Sequence, residues 1–244
     1  MTNIKLIIEY DGTNYVGWQR QKNGVSIQEQ IEKAINKVTG EKVHLIGSGR
    51  TDKGVHAKGQ VANFITRSTI PPSRFKLALN NNLPEDIVIL NSEKVSDDFH
   101  SRYDAIGKRY KYLIYNNPIR GALYRNFAYQ VPYHLDYKEM EMAMSFFIGT
   151  HDFMSFMVSK NNVRTTTKTI TQTSLNKKGN IIFFTIEGDG FLHNMVRIIV
   201  GTLVDIGRGK IKGTSIPHII SLKNRKFAGP TAPPQGLYLE KVYY

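Results

Sequence analysis

The residues able to do chemistry are concentrated in one stretch, Gly47-Ser48-Gly49-Arg50-Thr51-Asp52-Lys53-Gly54-Val55-His56-Ala57-Lys58-Gly59-Gln60-Val61-Ala62-Asn63. Glycines at 47, 49, 54 and 59 bracket a single carboxylate, Asp52, and four side chains that are or can become cationic, Arg50, Lys53, His56 and Lys58. Glycines let a backbone take positive φ or approach a ligand closely. A lone acid two residues from an arginine has the pattern of a reactive carboxylate held ionised by a cation. The plain alternative is a surface hairpin turning on Asp-Lys-Gly. Other loop chemistries fail on residue type. Gly49-x-x-x-x-Gly54 begins like a phosphate-binding loop, but Val55-His56 stands where Lys and Ser/Thr are required. There is no third glycine for a dinucleotide fingerprint, no Gly-x-Ser-x-Gly elbow and no His-Glu-x-x-His helix. The only nucleophile candidate in the loop is Asp52 itself.

Arg197 is the second candidate. It lies in Phe191–Ile206, where Leu192, Met195, Val196, Ile198, Ile199, Val200, Leu203, Val204 and Ile206 leave almost no polar face. A helix apolar all round is buried, and a buried guanidinium needs a partner, since unpaired burial costs several kcal/mol. Asp52 can be that partner; the alternative is a structural pair with Asp205 or a carbonyl. Asp205 is eight residues on, roughly 12 Å along a helix and out of intrahelical reach. Lys108–Tyr115 mixes cations with Tyr110, Tyr112 and Tyr115, as suits a sheet that stacks bases and neutralises phosphates. For Tyr112 and Tyr115 an ordinary half-buried strand position is the better reading. His151-Asp152 reads as a loop or cap pair rather than a general base.

The elements that must position these groups read as β-α-β-β-α-β in the first half. Ile4–Tyr10 is a strand. Ser26–Val38 is a helix with a Ser26/Glu29 capping box, an Ile27, Ile31, Ile35, Val38 stripe and Gly40 after its end. Val43–Gly47 and Gln60–Thr66 flank the glycine loop as strands, Ser73–Asn82 is a short helix after Pro71-Pro72, and Ile87–Val95 is a strand. The second half repeats the order. Arg109–Tyr115 is a strand, and Asp136–Phe147 a helix capped by Asp136, with Met140, Ala143, Met144 and Phe147 inward. Thr165–Ser174 and Asn180–Glu187 are strands around Lys177-Lys178-Gly179. Phe191–Ile206 is a helix and Leu237–Tyr243 a final strand. The pattern implies α+β: two ferredoxin-like halves, each an antiparallel sheet backed by helices. No linker separates them, and the boundary falls in Asp98–Lys108, giving domains 1–103, with the Asp52 loop, and 104–244.

Composition narrows the partners. With 33 Lys+Arg against 20 Asp+Glu the formal charge is +13, which suggests a polyanion whose counterions Lys and Arg displace; a solubilising surface is the alternative. There is no cysteine, which excludes disulfides and thiolate metal sites and suits a reducing cytosol. Met1 to Tyr10 reads as a strand rather than a signal peptide, and no apolar run approaches the ~18 residues of a membrane span. A cytoplasmic protein is expected.

Arg50-Thr51-Asp52-x-Gly54-Val55-His56-Ala57-x-Gly59-Gln60-Val61 resembles the active-site motif of the bacterial TruA-type tRNA pseudouridine synthases. Tyr10-Asp11-Gly12-Thr13-x-Tyr15-x-Gly17-Trp18-Gln19 is similar to that family's N-terminal strand and loop, and Phe99-His100-Ser101-Arg102 and Lys108-Arg109-Tyr110-Lys111-Tyr112 to its central segment. Gly149-Thr150-His151-Asp152-Phe153, Phe191-Leu192-His193-Asn194-Met195-Val196-Arg197 and Pro234-x-Gly236-Leu237 follow in family order, so the resemblance spans nearly the whole chain. Two positions depart from it: Lys53 replaces a usual small residue and Ser101 a usual Ala. Neither removes a reacting group.

The resemblance implies two pseudo-symmetric domains with a basic cleft between the sheets. It implies isomerisation of uridine to pseudouridine at positions 38–40 of the tRNA anticodon stem-loop, with Asp52 as the essential carboxylate. Tyr110 would stack on the target base, and Arg197, Arg50, Lys53, His56 and Arg102 would contact substrate. The lack of cysteine, of ligand-spaced His/Asp/Glu clusters and of nucleotide or flavin motifs predicts no metal and no cofactor, and the resemblance implies tRNA as partner and a homodimer as the assembly. Two rivals remain on sequence grounds. A non-catalytic RNA-binding protein explains the charge and the tyrosines but gives Asp52 no reason to be there. An N-glycosidase would use Asp52 and release free base.

Overall fold

The computed structural model describes residues 1–158 and 165–244. Its elements begin with β1 (Thr2–Tyr10), α1 (Ile27–Thr39), β2 (Ile46–Gly47), β3 (His56–Thr66), α2 (Phe75–Asn80), β4 (Ile87–Val95) and β5 (Gly107–Asn116). They continue with β6 (Tyr129–Val131), α3 (Tyr137–Ser145), β7 (Gly149–Asp152), β8 (Thr167–Lys178), β9 (Ile181–Gly188), α4 (Met195–Gly207), α5 (Ile216–Ser221) and β10 (Leu237–Tyr243). The architecture is α+β, with mostly antiparallel strands. By their contacts the residues fall into two units, Met1–Ile106 with Tyr238–Tyr244, and Gly107–Leu237.

In the first unit β1 lies between β4 and β3, antiparallel to both. The other side of β3 is shared: β10 runs parallel to its start, pairing Tyr238 with His56 and Leu239 with Ala57, and β2 pairs antiparallel near its end. Ile4, Leu6 and Ile8 alternate inward along β1 and are buried with Ile27, Ile31 and Ile35 of α1, the two periodicities expected of a strand and a helix sharing one core. Phe64 of β3 meets Phe75 of α2 edge-on at 5.5 Å.

Helix α1 starts and stops on local signals. Ser26 Oγ accepts the Glu29 N–H and Gly40 ends it at φ 75°. The carboxylate of Glu29 pairs with Lys33 at 2.9 Å. Val43–Gly47 is not the strand expected, because only Ile46–Gly47 joins β3. The Leu45 N–H donates instead to Glu32 Oε1 and its carbonyl accepts from Gln28 Nε2, so side chains of α1 satisfy backbone that a ladder would otherwise have satisfied. Ser73–Asn82 resolves into a 3₁₀ turn, Pro72–Arg74, followed by α2.

In the second unit β5 pairs parallel with β6 and antiparallel with β9, which continues through β8 to β7. Ile182, Phe184 and Ile186 of β9 and Tyr112 and Ile114 of β5 face inward. Asp136 caps α3 by accepting the Glu139 N–H. Strand β8 runs through Lys178, so the hairpin turns on Gly179-Asn180 with Gly179 at φ 58°. Strands β6 and β7 and helix α5 are additions to the expected order.

Helix α4 begins at Met195, four residues later than the sequence pattern suggests. Asn194 takes φ 62° and the Met195 N–H returns to the Leu192 carbonyl at 3.0 Å, so Phe191–Asn194 is a turn. Asn is among the few non-glycine residues that adopt this conformation readily.

Candidate active site

Asp52 sits in a loop that the N-terminal segment braces from one side. The Thr51 carbonyl accepts the Trp18 N–H at 3.1 Å, and the Val55 N–H closes a turn onto the Asp52 carbonyl at 3.1 Å. Two glycines make that closeness possible. A Cβ on Gly12 would lie 2.0 Å from the Val55 carbonyl oxygen, and one on Gly17 2.4 Å from that of Thr51. Gly17 also has φ 110°, a conformation few side chains allow. On the loop's inner side Thr51 Oγ1 and Tyr10 Oη lie 2.7 Å apart in a buried hydrogen bond. Tyr10 keeps the inward phase of Ile4, Leu6 and Ile8, which carries its hydroxyl to the loop.

The approach to the loop is pinned by Gln60. Its Oε1 accepts from Ser48 Oγ at 2.7 Å, and its Nε2 donates to the Gly49 carbonyl at 2.9 Å. Gln60 and Ser48 are both buried. Thr51 and Val55 are buried, Asp52 is half-buried, and Arg50 and Lys53 are exposed. The loop is therefore anchored at its two ends, Thr51 and Val55, and turns its charged groups outward or partly outward.

His56 belongs to strand β3 rather than to a loop and is 1% exposed. Its Nδ1 accepts the Gly12 N–H at 3.0 Å. Asp11 Oδ1 lies 3.1 Å from the same nitrogen, but an ion pair there would need a proton on Nδ1 itself, and a protonated Nδ1 could not accept the Gly12 N–H. Asp11 Oδ1 is instead held by the Thr13 N–H and hydroxyl, at 2.9 and 2.5 Å. The imidazole stacks on Tyr238 of β10, centroids 4.8 Å apart. Burial, and secondarily the charge of Asp11, raises the Tyr238 phenol above its ordinary pKa, so it remains neutral. His56 is thus built into the wall behind the loop.

Arg102 is exposed and lies over the Tyr103 ring at 5.7 Å. The residue before it carries the more informative geometry. Ser101 is fully buried; its N–H donates to Asn63 Oδ1 at 2.9 Å, its hydroxyl to the Ile46 carbonyl at 2.5 Å, and its carbonyl accepts from Tyr244 Oη at 2.7 Å. Asn63 in turn donates to Asn3 Oδ1, whose amide reaches the Ser96 and Phe99 carbonyls. This buried network ties the Phe99–Arg102 segment to β2, which leads into the Asp52 loop. The departure at 101 is therefore used structurally.

Tyr110 and Arg197 lie in the second unit. Tyr110 is 9% exposed and meets Phe191 edge-on, centroids 5.1 Å apart. Arg197 is half-buried rather than buried. Two of its contacts are the Ala232 carbonyl, from Nε at 2.8 Å, and Asn194 Oδ1, from Nη1 at 2.6 Å; the Ala232 N–H returns to the Arg197 carbonyl at 3.0 Å. The carbonyl alternative thus accounts for part of the guanidinium. Asp205 pairs with Lys210 at 3.4 Å and lies 3.9 Å from Arg208.

One face of α4 serves the same chain segment as Arg197. A Cβ on Gly201 would overlap the Pro230 carbonyl at 1.8 Å, and Thr202 Oγ1 accepts the Gly229 N–H at 2.9 Å. The segment then reaches β5, where Tyr112 Oη donates to the Pro233 carbonyl at 2.6 Å and Gly236 lies against the Tyr112 ring. Burial drives the Tyr112 phenol well up in pKa despite the nearby Arg197 charge.

Asp152 caps the 3₁₀ turn Phe153–Phe156 and pairs with Lys223 at 3.0 Å, a cap as expected. Burial pushes its carboxyl up, but the Thr166, Lys223 and Met154 hydrogen bonds outweigh this and hold it below the usual range. Among the described residues no group of three or more His, Cys, Asp or Glu could hold a metal ion. No helix among them is long and apolar enough to cross a membrane.

A family profile described as tRNA pseudouridine synthase matches residues 6–104 and 143–244. The tRNA pseudouridine synthase A of Acetivibrio thermocellus is 58% identical over 244 residues, covering 100% of both chains. The tRNA pseudouridine synthase A 2 of Clostridium perfringens is 52% identical, and the tRNA pseudouridine synthase A of a Thermoanaerobacter species 50% identical, with the same full coverage. On the strength of these matches and the seven motifs in order, the chain belongs to the tRNA pseudouridine synthase family.

Proposed function

We propose that this protein converts uridine to pseudouridine at positions 38–40 of the tRNA anticodon stem-loop, with Asp52 as the catalytic carboxylate. The observation that carries this reading is the family match on both sides of the chain, together with the one carboxylate in a loop braced by Gly12, Gly17, Thr51 and Gln60. The reaction breaks the N1–C1′ bond, turns the uracil in place and makes a C5–C1′ bond. No electrons or phosphate are transferred, so the chemistry calls for no metal and no cofactor. Asp52 attacks the sugar, attacks the base, or takes a sugar proton; each route places charge on the detached fragments, which Arg197 and Arg50 offset.

The target base must leave its stack, at ~ a few kcal/mol, and Tyr110 stacks on it. Lys53, His56 and Arg102 support substrate binding, His56 through the wall it builds. Stem recognition is by shape and phosphates, which the +13 charge favours. The assembly is a homodimer acting in the cytoplasm, and each chain is two ferredoxin-like domains divided near residue 103, with Tyr238–Tyr244 returning to the first.

The test is nucleoside analysis of tRNA incubated with pure protein. Pseudouridine should appear without free uracil, and Asp52→Asn should abolish it while tRNA affinity stays the same or rises slightly, one negative charge near phosphates being gone. Free uracil would indicate an N-glycosidase. Turnover by the Asn variant would remove Asp52 from its role.

A further inference from the structure

A cavity lies in Gly107–Leu237, at the far end of β5 from Tyr110. It is about 360 Å³ in volume and is lined chiefly by Tyr115, Arg120, Tyr124, Arg125, Gln130 and Gln235, with no acidic side chain. That volume is within the ~300–1,000 Å³ of small-ligand sites. Tyr110 and Tyr115 are five residues apart on one strand, about 17 Å, and an odd separation puts them on opposite faces. A base held at Tyr110 therefore does not occupy this cavity.

The cavity wall is assembled by strand register and a glycine. Tyr115 pairs with Gln130 across β5 and β6, which sets both side chains on one face. Gln130 is oriented by donating from Nε2 to the Asn117 carbonyl. The Tyr115 and Tyr124 rings stack at 5.0 Å and 27°. A Cβ on Gly121 would lie 3.0 Å from both rings, so the glycine lets the loop close on them. Tyr124 remains 40% exposed. Arg125 Nη1 donates to the Ala122 carbonyl at 2.8 Å, and Arg120 is exposed beside it.

Two guanidiniums, an aromatic face and two amides, with no carboxylate, match phosphate, base face and base edge in that order. We propose that this cavity receives an unpaired nucleotide of the RNA substrate other than the target uridine, its base against Tyr124 and its phosphates against Arg120 and Arg125. The proposal rests on the reading of the chain as a tRNA-modifying enzyme. It gives the second unit an anchoring point for RNA separate from Tyr110.

The experiment is tRNA binding by the full chain across a salt series, for wild type, Arg120→Ala, Arg120→Ala/Arg125→Ala, Tyr124→Ala and Tyr124→Phe. Each lost phosphate contact should reduce the slope of log affinity against log salt by about 0.7, so by ~1.4 in the double variant. Tyr124→Ala should weaken binding about tenfold and Tyr124→Phe far less, since the stacking face is kept. Arg120→Ala alters an exposed side chain, so its slope stands even where the Arg125 change disturbs the loop. Unchanged slopes, or equal losses in Tyr124→Ala and Tyr124→Phe, would overturn the proposal. So would unchanged slopes with altered sedimentation, which would assign the patch, with exposed Ile119 and Leu123 beside it, to protein contact. Because binding is read without turnover, absence of pseudouridine in the wild-type reaction would count against the proposed function alone.

Discussion

Gly17→Ala is the sharpest test of how the Asp52 loop is held. The alanine methyl would sit 2.4 Å from the Thr51 carbonyl oxygen and 3.1 Å from the Asp52 carbonyl carbon, on a backbone at φ 110°. A side chain in so sparsely allowed a conformation costs about 1–3 kcal/mol. Overpacking against backbone that cannot rotate away costs about 1–3 kcal/mol more. The sum, roughly 2–6 kcal/mol, corresponds to a thermal midpoint lowered by about 5–20 °C for a chain of this size. Gly40→Ala is the internal control. Gly40 also has positive φ, 75°, but its Cβ would meet nothing within 4 Å, so only strain of about 1–2 kcal/mol applies. The assay is the unfolding midpoint of both variants beside wild type, with pseudouridine formation measured well below either midpoint. Under the role proposed for Asp52, Gly17→Ala should lose about a hundredfold or more in turnover, since displacing a catalytic group by ~1 Å costs that much, and Gly40→Ala should lose little. Equal destabilisation by the two, or a Gly17→Ala protein of near-normal activity, would show that the glycine contact does not set the position of Asp52.

Other variants read other parts of the structure. Ser101→Ala strands the Ile46 carbonyl and should cost about 1–3 kcal/mol in urea unfolding, with turnover largely kept because no reacting group is removed. Arg197→Met removes the bonds to Ala232 and Asn194 and should cost a similar ~1–3 kcal/mol. Arg197→Lys keeps the charge without the planar fork and should slow the single-turnover rate about tenfold, ~1.4 kcal/mol; an unchanged rate would make Arg197 purely structural. The depressed carboxyl of Asp152 contributes stability that is present above its unfolded pKa of about 3.9 and is lost as pH falls through the lower folded value. The stability advantage of wild type over Asp152→Asn should therefore hold at pH 6 and shrink as pH falls below about 3.9; an advantage independent of pH would show that the Lys223 pair is inert.

Helix α1 was legible because its signals are local: a cap, an apolar stripe and a glycine all lie within fifteen residues. Strand β4 was legible to the residue, Ile87–Val95. What could not be read were the places where distant side chains replace local partners. Val43–Leu45 looks like strand, but its backbone is satisfied by Gln28 and Glu32, and nothing in a short window announces that. The start of α4 was missed because one backbone angle, at Asn194, overrides a continuous apolar pattern. At the site, residue type alone pointed to Asp52, Arg50 and His56. Tyr10, Thr51, Gln60, Asn63 and Ser101 stand in the motifs, but residue type gave no sign that they hold the loop, nor that Asn3 joins them. Part of their signal was present as polar groups on strands, Asn3 and Tyr10 on β1 and Gln60 and Asn63 on β3, where a hydroxyl or amide that becomes buried must find a partner.

The position of β10 in the first unit sets an order of events during synthesis. Tyr238, which covers His56, and Tyr244, which holds the Ser101 carbonyl, leave the ribosome only after all of Gly107–Leu237 has been made. Strand β3 until then has an open edge at His56-Ala57, and Gly59 lacks the Glu240 backbone that would lie against it. A nascent first unit thus carries the whole Asp52 motif without the strand that completes its sheet, and open strand edges are where immature chains aggregate. Competence of the loop becomes a late event, timed by the arrival of seven residues rather than by the completion of the motif that contains Asp52.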